Sequence, residues 1–568
     1  MNLITPTGFK DFLFDEAFKR ERITASVQSL LASAKYKLIE TPTLEVMDVV
    51  SMGASLSMAP FKFYDNQGQL LAMRPDATRQ IARIYANNFA QAQADTEKPV
   101  KFRYTQRIFR EQSGVASTQE RELTQIGIEC IGDDSCDSDL SVISLFIESL
   151  KLAGLSDVKV VMGTVAVLHA LLDKTNISDT WKSQVLKAYH NSDFCELDFL
   201  CSEDSIKAEC GDGRISQENK KITRLISCLP YYQGDYRSIK KLKSELCELG
   251  CQEQILKFEK TYELLMDMGY GDIVSVDFSV ITGFDYYTGV VFEAYSSNFG
   301  SAIGSGGRYD NMLRAYGVDK PACGFAFYLD FVLKAIEDSD SNAPKIADKS
   351  SSRRLRIAIP KGSLFQDSIR VLKNAGLDTT GLDNPGRQLI ISNKDVDYII
   401  VRPTDAPVFV SLGAADCGMC GKDSLLESDS DVVDLMDLEY GECRFVVAKK
   451  KDDTALKNLA VTPSATYKSN TVKVATKYPN ITKRYYDSIG IQAEILKLHG
   501  NIELAPLTGL AQRVVDITAT GTTLRENNLE VEAEILSSTA HFFANKSSYR
   551  TNSKVAFLAD ALKTSKNS

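Results

Sequence analysis

Histidine is scarce, with four in the chain, and the 12 cysteines are scattered. Cys417-Gly418-Met419-Cys420 is the only C-x-x-C, and no second pair stands near it at the spacing of a zinc site. The expectation is reduced cysteines, used as small apolar residues in a cytoplasmic protein. No apolar, uncharged run approaches about eighteen residues, so no transmembrane helix is expected. The first residues, MNLITPTGFKDFLFDEAFKR, lack a basic start followed by an apolar core, so no secretory leader is expected either. A surplus of positive charge is also missing. There are 66 Lys+Arg against 75 Asp+Glu, a net charge of −9. Broad binding to nucleic acid or to acidic membranes relies on such a surplus, so neither is expected. A local basic pocket for a small polyanion remains compatible with these totals.

What is present is an ordinary globular composition, 44% hydrophobic and 25% charged, in 568 residues. That length suggests roughly three or four domains. The clearest seam is "EDSDSNAPKIADKSSSRR", polar, rich in Ser and Asp and without apolar period. It divides the chain into residues 1–336, a linker 337–354 and residues 355–568. In the first part, "KFRYTQRIFRE" and "QERELTQIGIECIG" alternate apolar and polar residues, as two antiparallel strands would. "DYYTGVVFEAY" is a third strand candidate, β-branched and aromatic. Between about 165 and 268 the apolar spacing turns to three and four residues, which predicts a helical insertion. In the last part "LRIAIPKGSL", "YIIVRPTD", "GECRFVVAKK" and "VKVATKYPN" alternate with helical stretches and predict α/β lobes with parallel sheets.

The stretch "VVDITATGTTLREN" carries the most chemistry. Val514 and Val515 end a strand, Asp516 can accept hydrogen bonds from sugar hydroxyls, and small residues follow. Thr518, Ala519, Thr520, Gly521, Thr522 and Thr523 offer N–H and O–H donors around one phosphate. Leu524 onward offers the positive end of a helix, and Gly521 can take a positive φ. "GKDS" at Gly421 is not a nucleotide-binding P-loop, because the upstream glycine spacing fails.

Two family resemblances give these features a setting. "LAMRPDATRQIARI", "FRYTQRIFREQ", "ELTQIGIECIG", "ITGFDYYTGVVFEAY", "GSGGRYDNML" and "GFAFYLDF" stand in the order found in histidyl-tRNA synthetases. That resemblance implies a class II synthetase-like antiparallel sheet domain. It also implies that Asp76, Thr78, Arg110, Gln125, Glu129, Tyr286 and Tyr287 hold histidine, a set whose acids, amide and arginine suit an ammonium group, an imidazole and a carboxylate. The chain departs from the family at two cations: Thr282 and Phe331 stand where the synthetases carry arginines that serve ATP and amino-acid activation. The family's anticodon-binding domain is absent as well. The pattern is similar to the regulatory subunit of ATP phosphoribosyltransferase, a synthetase relative that senses histidine without charging tRNA.

The last part resembles the short-form ATP phosphoribosyltransferase catalytic subunit, most specifically in "IPKGSL", "GAADCGMCGKDSL", "HGNIELAPLTGLAQRVVDI" and "TATGTTLRENNL". The resemblance implies a two-lobed, periplasmic-binding-protein-like phosphoribosyltransferase of α/β class, following the α+β first part. It implies that ATP and phosphoribosyl pyrophosphate (PRPP) give phosphoribosyl-ATP and pyrophosphate, the first step of histidine biosynthesis, with Mg2+ on the pyrophosphate. No protein ligand of the metal is firmly assigned. Asp516 and residues 518–523 become the PRPP cradle. Arg387, Arg402 and Lys361 become the cations for the departing pyrophosphate, Lys422 a weaker candidate, and Glu503 a substrate-placing acid. Histidine is implied as a feedback inhibitor and a homo-oligomer as the assembly. A histidyl-tRNA synthetase with an appended ligand-binding domain is the enzyme alternative. A two-domain sensor that only holds ligands is the other.

Overall fold

The computed structural model describes the chain apart from residues 1–3, 54–58, 91–97, 112–119, 210–215, 281–285, 341–353, 452–470, 519–520 and 567–568. Most of the linker, together with Thr282, Ala519 and Thr520, lies outside the described residues. The chain divides into two compact units. One is Met1–Asp348 with Lys546–Ser553, and the other is Lys349–Asn545 with Lys554–Ser568.

The first unit is built on a nine-stranded sheet. Its strands are β1 (Lys37–Leu38), β2 (Val100–Phe109), β3 (Glu122–Ile131), β4 (Lys159–Thr164), β5 (Gln233–Gly234), β6 (Val274–Asp277), β7 (Val290–Ser296), β8 (Phe299–Arg308) and β9 (Ala322–Tyr328). Their order is β1-β2-β3-β9-β8-β7-β4-β6-β5. The two alternating stretches pair antiparallel as β2 and β3, with Gln106 opposite Gln125. The aromatic stretch forms β7, although regular pairing starts at Val290, after the two tyrosines. On one face the helix Cys136–Leu152 packs through Phe146, whose ring lies 5.2 Å from Phe292 and 5.1 Å from Phe325. Ser135 caps this helix, its hydroxyl accepting from the Ser138 N–H at 3.2 Å. The helix Thr78–Asn88 and the residue before it contribute Ala77, Ile81, Ala82 and Tyr85 to a cluster that also holds Tyr104, Tyr286, Tyr287 and Tyr309. The stretches read as helical become the helices Asp179–His190, Tyr236–Glu248 and Glu253–Asp267.

The second unit has two sheets. The first lobe opens with β10 (Leu355–Pro360), β11 (Ile390–Ser392), β12 (Val396–Val401), β13 (Cys417–Gly421) and β14 (Val432–Asp437). The chain then builds a second lobe from β15 (Cys443–Lys450), β16 (Thr471–Thr476), β17 (Gln492–Lys497), β18 (Arg513–Thr518) and β19 (Leu529–Ser538). It returns to the first lobe as β20 (Ala540–Asn545). The strand orders are β11-β12-β10-β13-β20-β14 and β17-β16-β18-β15-β19. The expectation of parallel sheets needs correcting, for both are mixed. β10, β12 and β13 are parallel, as are β16, β17 and β18. β15 runs antiparallel to β18 and β19, and β20 antiparallel to β13 and β14. These antiparallel strands flank the two passages between the lobes, where the chain crosses directly from one sheet to the other without an intervening crossover helix. Cys417 and Cys420 are free and fully buried on β13. Three residues apart on a strand, they point to opposite faces.

Candidate functional sites

In the first unit, six of the seven residues assigned to histidine converge on one cavity. Asp76, Thr78, Gln125, Glu129, Tyr286 and Tyr287 line it, joined by Ser305, Tyr309, Gly324 and Tyr328. Arg110 stands behind the wall. It donates to the Pro75 carbonyl at 3.0 Å and to the Tyr328 hydroxyl at 2.9 Å, with its guanidinium 5.2 Å from that ring. The Asp76 carboxylate accepts from the Arg79 N–H at 3.2 Å, and Gln125 Oε1 accepts from the Ala77 N–H at 3.2 Å.

Glu129 is the centre of this pocket. Its carboxyl group accepts from Thr78 Oγ1 at 2.7 Å, from the Tyr104 hydroxyl at 3.4 Å and from the Tyr309 hydroxyl. The residue opposite it across the sheet must be glycine. A Cβ on Gly324 would lie 2.1 Å from Glu129 Oε2 and 2.4 Å from the Ile128 carbonyl oxygen. Burial pushes the Glu129 carboxyl up from 4.5 to about 8, and the three hydroxyl donors only partly offset it. Folded Glu129 therefore keeps a proton that the unfolded chain loses near pH 4.5. The stability it contributes is fully present below the unfolded pKa and falls as pH rises through the folded one, about 8. Glu129→Gln is expected to flatten the loss of Tm between roughly pH 5 and 8.5. Equal slopes for both proteins would place the titration elsewhere.

Phe331 occupies the place of a synthetase arginine and packs as an aromatic. Its ring lies 5.0 Å from Phe299 and 5.1 Å from Tyr328. The sequence alone does not single out Tyr309 and Tyr328. Both lie inside motifs that signal the family, "GSGGRYDNML" and "GFAFYLDF", and that is the available clue.

In the second unit, the cations sit at strand ends. Pro360 pairs with Val401, so Lys361 and Arg402 leave neighbouring parallel strands side by side at their carboxyl ends. The Lys361 N–H closes this edge on the Val401 carbonyl at 2.7 Å. Lys361 and Arg387 line a cavity of about 380 Å³ with Phe365, Leu389 and Ile400. Lys361, Arg387 and Arg402 are exposed. Lys422 is committed otherwise. Its ammonium pairs with Asp434 at 2.7 Å, and the same carboxylate meets His541 Nδ1 at 2.9 Å.

The loop expected to cradle a phosphate follows β18, which runs on to Thr518, beyond the valines expected to end it. Gly521 has φ +69°, the left-handed region that glycine supplies at no cost. Its N–H donates to Thr518 Oγ1 at 2.7 Å. The helix that follows is one short turn, Thr522–Glu526, so its dipole is small. Asp516 is buried, and the Ile517 N–H donates to its Oδ1 at 2.9 Å. Burial raises its pKa, the Lys477 ammonium pulls it back, and nearby Glu503 raises it further.

Known proteins match both halves. A histidyl-tRNA synthetase family model covers residues 8–332, and an ATP phosphoribosyltransferase model covers residues 402–564. An ATP phosphoribosyltransferase of Rubrobacter xylanophilus is 48% identical over 198 residues, 35% of this chain and 89% of that protein. An ATP phosphoribosyltransferase regulatory subunit of Clostridium kluyveri is 30% identical over 347 residues, 60% of this chain and 85% of that protein. A solved structure of an ATP phosphoribosyltransferase regulatory subunit/histidyl-tRNA synthetase from Bacillus halodurans superposes with a TM-score of 0.51 at 25% identity, covering 71% of this chain and 99% of that one.

Fold and sites together define a two-lobed pentosyltransferase joined to a class II synthetase-like unit. The chain belongs to the histidyl-tRNA synthetase family through its first half, where it matches the regulatory subunits, and to the ATP phosphoribosyltransferase family through its second. It is an ATP phosphoribosyltransferase with its regulatory domain on the same chain, and the tRNA-charging alternative is the less favoured reading.

Proposed function

We propose that the second unit joins ATP to PRPP as the residues on its strand ends dictate, and that the first unit senses histidine. The adenine N1 of ATP attacks C1 of the ribose, and the bond from C1 to pyrophosphate breaks. The transition state resembles an oxocarbenium ion, so positioning and charge dominate over covalent help. Asp516 accepts from the ribose hydroxyls, and Thr518 through Thr523 cradle the 5-phosphate. The apolar faces of Phe365, Leu389 and Ile400 give the 380 Å³ cavity a surface for a purine, with Lys361 and Arg387 at its wall for phosphates. Arg402 adds a third cation at the same edge. Glu503, within electrostatic reach of Asp516, helps to place the substrates. The observation that carries this reading is a single strand edge presenting three exposed cations on one lobe, and a donor-rich loop with a buried carboxylate on the other.

The oxygen donors near the loop, Asp516 and Glu503, suit a hard divalent cation, and Mg2+ would screen the pyrophosphate chiefly through substrate oxygens. Histidine would occupy the Glu129 pocket. The space now free there is about 20 Å³, so the amino acid enters only as the tyrosine rings move aside. Inhibition then means that histidine and at least one substrate change each other's affinity by the same factor. The chain is proposed to act in the cytoplasm as a homo-oligomer. Among the described residues no helix is long and apolar enough to cross a membrane.

The test is the full chain mixed with ATP, PRPP and Mg2+, followed by the absorbance of phosphoribosyl-ATP, with and without histidine. Product formation that histidine slows is the expected outcome. Histidine-dependent exchange between ATP and pyrophosphate would return the chain to the synthetases. Asp516→Asn is expected to raise the KM for PRPP by roughly tenfold or more, the effect of weakening charge-assisted hydrogen bonds to the ribose, and not to lower Tm, since burial already disfavours the charged carboxylate.

A further inference from the structure

No sequence motif singles out Lys477, yet the fold puts it at the phosphoribosyl site. β16 and β18 are parallel, with Thr476 paired to Val515, so Lys477 leaves the end of β16 at the level of Asp516, which β18 still holds in the sheet opposite Val446 of β15. Open α/β sheets bind ligands at such carboxyl ends. The turn is held from below, since Thr476 Oγ1 donates to the Val515 carbonyl at 2.8 Å and accepts from the Tyr478 N–H at 2.9 Å. It is held from the other lobe as well. Glu427, on the helix Lys422–Ser428 of the first lobe, accepts from the Asn480 N–H at 3.1 Å and the Ile481 N–H at 3.1 Å. These are the first-turn amides of the helix Pro479–Ser488, which begins two residues after Lys477. Asn480 Nδ2 also donates to the Glu427 carbonyl at 2.8 Å. The backbone around Lys477 is therefore fixed on both sides, while its side chain is exposed.

The charges facing it make its purpose specific. Asp516 is within electrostatic reach of both the Lys477 ammonium and the Glu503 carboxylate, and in the proposed reading both acids lie where the polyanionic sugar binds. Uncompensated, they would repel the diphosphate while holding the ribose. We infer that Lys477 is a substrate-holding residue, its ammonium taking the diphosphate of PRPP beside the ribose that Asp516 grips, and that Glu427 is a positioning residue acting through the turn that carries it. The 5-phosphate already has the Thr/Gly donors, so the diphosphate is the group still in need of a cation on this lobe. The inference rests on the phosphoribosyltransferase reading.

The experiment compares the full chain with Lys477→Ala, Lys477→Arg and Glu427→Gln, measuring KM for PRPP and ATP and the binding of PRPP and of ribose 5-phosphate by calorimetry. Lys477→Ala is expected to raise the KM for PRPP by about tenfold to a hundredfold, the range lost with a charge-assisted hydrogen bond. The KM for ATP should stay within about twofold, ribose 5-phosphate should bind as before, and Lys477→Arg should restore part of the loss. Glu427→Gln should give a smaller shift of the same kind. An active wild type with an unaltered KM for PRPP in Lys477→Ala overturns the inference, and so does an equal loss of ribose 5-phosphate. A wild type that makes no phosphoribosyl-ATP overturns instead the reading beneath it.

Discussion

Replacing Arg387 and Arg402 together by alanine is expected to lower kcat at least about a thousandfold with no change in Tm. Each charge placed on a departing anion supplies on the order of a hundredfold to a thousandfold in rate. The stability half of the expectation follows from where these residues stand. Both side chains are exposed, and neither lies in the clusters that make the core of either lobe. Exposed positions away from caps and cores usually change stability by less than about 0.5 kcal/mol. Turnover of ATP and PRPP and a thermal melt of the same preparation check both halves. Normal turnover in the double variant would refute the assignment of these arginines, and a collapsed melt would make them structural.

The expected asymmetry between the arginines and Lys422 shows how far the sequence can be read. All three are read from motif context, Lys422 in "CGKDS" as the weaker candidate beside Arg402 in "IIVRPTD". Only the fold shows that Asp434, twelve residues later on β14, claims the Lys422 ammonium. Strands and the turn at Gly521 are legible because their signals are local: alternation along β2 and β3, a glycine where φ is positive. The Glu129 pocket is legible in part. Six of its residues follow from motif resemblance, but Tyr309 closes it through a hydroxyl from 180 positions away. The mixed character of the two sheets escapes, since no local pattern tells a strand which direction its neighbour runs. Lys477 escapes for a related reason. Its meaning comes from the pairing of Thr476 with Val515, which is a property of register and not of the stretch "ATKYPN" itself.

Arg550→Met is expected to destabilise the first unit by about 3–5 kcal/mol, the cost of breaking a buried ion pair by removing one partner. Residues Lys546–Ser553 group with that unit, and Arg550 is buried in it. Its guanidinium pairs with Glu293 and meets the Tyr295 hydroxyl, both on β7, and its Nε lies 3.6 Å from Asp277 Oδ2 at the end of β6. Burial pushes the Asp277 carboxyl up, and the attraction of Arg550 is what chiefly restrains it. With methionine in place, two acids share a buried site with no counter-charge, and at least one must take up a proton or water must enter. The loss is a large fraction of a typical domain's roughly 5–15 kcal/mol. Lysine should not rescue it, because a single ammonium cannot reproduce the planar fork that serves several acceptors at once. Asp277→Asn in the Arg550→Met background should recover part of the loss, a coupling that independent sites would not show. Denaturant melts of the wild type, the two single variants and the double variant read the cycle directly. β7 follows Tyr286 and Tyr287 by a few residues, so calorimetry with histidine on the same variants shows whether the strand's anchor also shapes the pocket. Additive losses in the melts would mean that Arg550 and Asp277 do not interact, and that the arginine is held by Glu293 and Tyr295 alone.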